Sequence, residues 1–157
     1  MLYAFYVFDG PRFFDFLETI EKRPGREELD DAEKMYKRAL EIDPEHAMAT
    51  CRLARLYQDK AARSMTRPWL AKPEEVRAHM ARALDLYDRA SQITKADQEL
   101  SYIYYEWAIC LAIQKDFRGA WQKIHLSKQH GSEYIQKDFI EKLSKDLPDP
   151  FAGEGRS

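Results

Sequence analysis

Two cysteines and four histidines are the softest nucleophiles and metal ligands in this chain. Cys51 and Cys110 lack the paired spacing of a zinc site and are too few for a disulfide framework. His125 and His130 stand five residues apart, about 500° around a helix, so they do not share a face. No acid or thiol sits beside them at ligand spacing, and both read as surface or helix-end histidines. The chain contains no G-x-S-x-G, no H-E-x-x-H and no glycine-rich phosphate loop ending in Gly-Lys. Its many carboxylates interleave with Lys and Arg as on solvated helix faces. No catalytic residue, metal or cofactor is expected, and the chain reads as non-enzymatic.

One stretch is locally basic. Arg52, Arg55, Lys60, Arg63, Arg67 and Lys72 face the single acid Asp59, with Met65 and Trp69 among them. It reads either as solvated surface with Trp69 packed down, or as a contact for an acidic or carboxylate-bearing partner. Nucleic acid is disfavoured. The 25 Lys and Arg are outnumbered by 27 Asp and Glu, so counterion release supplies little drive.

These residues must be carried by one domain, since 157 residues are too few for two comfortable ones. Hydrophobic residues at 45% and aromatics at 13% exclude intrinsic disorder. Residues 1–12 hold an apolar run, Leu2 to Phe8, stopped by Asp9, Gly10 and Pro11. It is far shorter than the about 20 residues of a membrane span. It also lacks the basic start and small-residue cleavage site of a secretory signal. A cytoplasmic location is the default expectation.

The remainder reads as amphipathic helix. Ala32, Met35, Tyr36, Ala39 and Leu40 fall at helical spacing between Asp30 and Ile42, and Asp43–Pro44 ends that run. A second helix starts at His46 and carries Thr50, Leu53, Ala54 and Tyr57. Pro73, with Glu74 and Glu75 behind it, starts a third through Met80, Ala83, Tyr87 and Ala90. Further helices are expected near Ala96 to Gln114, near Phe117 to Gln129, and around Phe139, Ile140 and Leu143. No segment alternates as a strand with a partner would, so the fold class is all-α.

A spacing recurs. Ala32, Tyr36, Ala39 and Pro44 read A-x3-Y-x2-A-x4-P, and Ala83, Tyr87 and Ala90 repeat its first three members. Ala120, Ile124 and Ser127 form a weaker copy. Small residues at these positions let one helix lie close on its neighbour while the aromatic fills the gap. The run Ala32 to Pro44 resembles the second-helix consensus of the tetratricopeptide repeat, a unit of about 34 residues. Thr50, Leu53, Ala54 and Tyr57, and then Tyr104, Trp107, Ala108 and Leu111, resemble its first helix.

The resemblance implies a right-handed superhelical stack of about three helix–turn–helix repeats. They would fall near residues 13–46, 47–97 and 101–134, with a capping helix over 135–147 and a frayed tail over 148–157. The first helix departs from the pattern at Thr19 and Ile20, and the middle repeat carries an insertion of about 17 residues near 58–75. On this register Cys51 and Cys110 lie about 7.5 Å apart along the axis on helices about 9 Å apart, too far to bond.

The family is a scaffold, so the implied function is binding of a protein, peptide or partner helix in the concave groove. First helices line that groove, which points to Met48, Cys51, Arg52, Arg55 and Gln58, and to Tyr102, Tyr105, Ile109 and Ala112. Family members that hold a terminal carboxylate use Lys and Asn on successive first helices. The matching positions here are Cys51 and Arg55, then Tyr105 and Ile109, so that clamp is absent. The alternative is a structural or assembly subunit that forms a homo-oligomer through Leu2, Phe5, Val7 and Phe8.

Overall fold

A computed structural model describes residues 26–66, 69 and 72–153. Among them the chain forms six α-helices and no strand. These are α1 (Arg26–Ile42), α2 (Ala47–Thr66), α3 (Pro73–Ile93), α4 (Asp97–Ile113), α5 (Phe117–His130) and α6 (Lys137–Asp146). The apolar 1–12 segment and the helix expected near 13–23 lie outside the described residues.

Local chemistry sets the boundaries. At the end of α1, Asp43 N–H still reaches Ala39 O at 2.9 Å before Pro44 breaks the run. His46 then caps α2, its Nδ1 accepting the Ala49 N–H at 3.0 Å. Pro73 occupies the first turn of α3, where its missing N–H costs nothing, with Glu74 and Glu75 at the positive dipole end. Between α4 and α5, Lys115 takes a left-handed φ of 65°. Its N–H bonds Ala112 O, and the Asp116 N–H bonds Leu111 O, both at 2.9 Å, closing the carbonyl end of α4. Asp116 then caps α5 by accepting the Gly119 N–H at 2.9 Å. A Cβ on Gly119 would collide with that carboxylate.

The helices pack chiefly in chain order, α1 on α2, α2 on α3, α3 on α4 and α4 on α5, while α2 also meets α4. Ala54, Ala83, Ala90, Ala108 and Ala120 are fully buried where helices approach, and Tyr36, Tyr57, Tyr87 and Leu111 fill the spaces between them. On α4 and α5 even the polar contacts are small. Ser127 Oγ donates to Ser101 O at 2.7 Å, and Ser101 Oγ donates to Gly131 O at 2.9 Å.

Four expectations need correction. Ala39 is only half-buried, unlike its counterpart Ala90. Trp107 is also half-buried, with the Lys123 ammonium of α5 over its ring, 3.7 Å from the centroid. Trp69 does not pack the insertion down but stands exposed, while α2 and α3 use the insertion to lengthen to 20 and 21 residues. The tail does not fray at 148: Asp149 and Phe151 dock on α5 through His125 and Arg118. No helix among the described residues is long and apolar enough to cross a membrane.

The difference between the two alanines is measurable. Ala90→Leu should overpack the core and cost about 1–3 kcal/mol, whereas Ala39→Leu should cost distinctly less. Urea denaturation midpoints compare them, and equal losses would contradict this packing.

Candidate functional site

The expected groove residues come together on α2 and α4, but most of them are buried. Cys51, Arg55 and Gln58 on α2, and Tyr102, Tyr105, Ile109 and Ala112 on α4, have almost no accessible surface. Only Met48 and Arg52, on the first half of α2, remain half-exposed. The tyrosines are not an open wall. Tyr105 meets Phe139 of α6 edge-on at 5.7 Å and accepts the Gln136 N–H at 3.3 Å. Tyr102 meets Tyr134 edge-on at 5.4 Å. The segment leading into α6 therefore covers much of the face that the sequence exposes on paper.

At the centre lies a charge constellation. Arg55 donates from Nε to Asp59 Oδ1 at 3.0 Å and from Nη1 to Glu106 Oε2 at 2.7 Å. The three side chains are 2%, 1% and 0% exposed, respectively. Beside them the Tyr87 hydroxyl donates to Gln58 Oε1 at 2.7 Å. Among the described residues, Glu106 Oε1 and Gln58 Nε2 are buried without a hydrogen-bond partner. Asp59 and Glu106 are the members that the sequence reading missed. Asp59 is four residues after Arg55, the spacing of a helical ion pair. Glu106 is the lone acid in the otherwise apolar run Tyr102 to Ile113, a signal that was there to be used.

Two carboxylates share one buried guanidinium, and the electrostatics follow. Burial pushes Glu106 up to about 7, against the pull of Arg55 and with the help of Asp59. Burial also pushes the Cys110 thiol up to about 12 and the Cys51 thiol well above its usual value. Both cysteines are free, and burial holds them as thiols. Among the described residues no group of three or more His, Cys, Asp and Glu is arranged to hold a metal ion. His125 instead pairs with Asp149 at 2.8 Å, and His130 with Asp97 at 2.7 Å.

Two cations of the basic stretch are spent on partners within the molecule. Arg55 serves the constellation, and Lys60 bonds Asp30 at 2.9 Å and Glu33 at 2.6 Å, tying α2 to α1. Tyr57 adds its hydroxyl to Glu33 at 3.0 Å, while His79 and Arg82 of α3 lie against its ring. Burial raises Glu33, but bonds from Lys37, Lys60 and Tyr57 outweigh it and hold the carboxyl at about 2.

The two carboxylates respond to pH with opposite signs. Glu106 titrates higher folded than its ordinary value of 4.5, so its contribution is most favourable below 4.5 and is lost as pH rises through about 7. Glu33 titrates lower folded, so its contribution is full above 4.5 and is lost as pH falls through about 2. Glu106→Gln mimics the protonated acid. The stability of this variant relative to wild type should rise on the order of 2–3 kcal/mol between about pH 4.5 and pH 8. A pH-independent difference in unfolding free energy would overturn the assignment. Arg55→Met leaves both carboxylates without their shared cation and should cost about 3–5 kcal/mol by the same measurement.

The chain matches no family model, and neither a curated protein nor a solved structure matches it.

Proposed function

We propose that this chain is a non-enzymatic protein-interaction module of tetratricopeptide-like superhelical architecture, acting in the cytoplasm. Its partner is a peptide or helix received along the α2–α4 face. The observation that carries the reading is the contact of α2 with α4 in addition to its chain neighbours. Stacked helical hairpins bring alternate helices together in this way, building one inner layer and one outer layer. The reading is supported further by Cys51 and Cys110, whose burial keeps them from acting as nucleophiles. Arg55, Asp59 and Glu106 are turned on one another.

With the centre of that face closed, the partner meets its accessible edge. Met48 and Arg52 lie one turn apart there, both half-exposed. A thioether beside a guanidinium suits an apolar anchor followed by an acidic group.

Capture of partners from native lysate by wild type, Met48→Ala and Arg52→Ala tests this, with circular dichroism showing that each variant is folded. Either substitution should cost a captured partner about 1–2 kcal/mol of affinity. An unchanged set of partners at unchanged affinity would move the interface elsewhere. Light scattering on the same samples separates the alternative: a mass that grows with concentration would favour a self-associating subunit.

A further inference from the structure

The residues after α6 do not leave the molecule. Leu147 continues in extended conformation, and its carbonyl accepts the Trp121 Nε1–H at 2.8 Å. Asp149 then sets its Oδ2 2.8 Å from His125 Nε2, while its Oδ1 accepts the Phe151 N–H at 2.9 Å. That second bond closes a small turn which brings the Phe151 ring back over the same helix. The ring lies under the Arg118 guanidinium at 4.7 Å and edge-on to His125 at 5.9 Å. Arg118, Trp121 and His125 are spaced three and four apart on α5 and so form one face. Each supplies a different kind of recognition: a cation for a ring, an indole N–H for a carbonyl, and an imidazole for a carboxylate.

Pro148 and Pro150 separate the three contacting residues. Each fixes its own φ and keeps the residue before it out of the helical region, so little chain entropy is lost on docking. A short, proline-spaced segment that turns on an aromatic and cationic face has the anatomy of a peptide ligand in its receptor. Here ligand and receptor belong to one chain.

We infer that the Arg118–Trp121–His125 face is a docking site for a turn-forming protein segment carrying a carboxylate two residues before an aromatic ring, and that residues 147–151 occupy it as an intramolecular competitor. The occupant in a complex is a partner protein's segment of that chemistry. The site lies on α5, away from Met48 and Arg52, and the inference stands whether or not the α2–α4 reading does. A tethered competitor lowers the apparent affinity of the incoming segment by the fraction of time the site stands open. The site is therefore closed at low partner concentration and opens by exchange.

The probe is a synthetic peptide of residues 145–153, added to the full chain. Its affinity for the double variant Asp149→Ala, Phe151→Ala should exceed that for wild type about tenfold or more. Adding His125→Ala to the double variant should remove that binding. Equal affinity for the wild type and the double variant, or binding indifferent to His125→Ala, would overturn the inference. A second measurement needs no variant. Excess peptide should speed chymotrypsin cleavage of wild type at Phe151 by lifting the strap, and a peptide with both Asp149→Ala and Phe151→Ala should not. Unchanged cleavage under saturating peptide would also overturn it.

Discussion

The guanidinium of Arg55 is shared by Asp59, one turn along the same helix, and by Glu106 on α4, 51 residues away in sequence. Much of the arrangement of the inner helices is conditioned by that sharing. An arginine cannot shed its proton, so its charge must be met wherever the fold buries it. One carboxylate would meet it, and two leave the cluster with an excess negative charge that the interior disfavours. The excess falls on Glu106, the most deeply buried of the three. Such clusters add little net stability compared with apolar packing, but they punish misplacement heavily. A shift of α4 by one residue would turn Glu106 about 100° from Arg55 and strand both charges.

Elsewhere the molecule keeps its helices together with smaller means. Alanines line the approaches of α2, α3, α4 and α5, and a pair of serines replaces larger side chains between α4 and α5. Small residues allow close approach, which fixes the spacing of neighbours but not their identity. Identity comes from polar groups that fit only one partner: Lys60 and Tyr57 toward α1, Tyr87 toward Gln58, and Arg55 toward Glu106. The apolar pattern decides that helices stack, and these contacts decide which stacks on which.

The helices were legible because they are announced by strong local signals: apolar residues at three and four, with Pro44 and Pro73 at boundaries. The buried alanines and tyrosines followed from the same periodicity. The inside of the α2–α4 face was not legible in this way. Arg55 and Asp59 look like surface residues when a helix is read alone, and only the position of Glu106 on another helix shows that they are interior. Trp107 erred in the opposite direction, since a large aromatic suggests burial and cannot announce that a lysine will cover it. The docked tail was missed because proline and short polar residues mark the end of a helix. They say nothing about a distant histidine with which an aspartate will pair.

The chain-order packing also bears on how the structure forms and comes apart. Most contacts join helices adjacent in sequence, and such local contacts close small loops and assemble quickly. The bond from Arg55 to Glu106 is different, because it joins residues 51 apart across the whole of α3 and so closes a longer loop. A contact made after the rate-limiting step leaves the folding rate nearly untouched and acts on the unfolding rate instead. The central ion cluster is thus expected to act as a timer on the folded state: it has little influence on how fast the helices collapse and a large one on how long the finished stack persists.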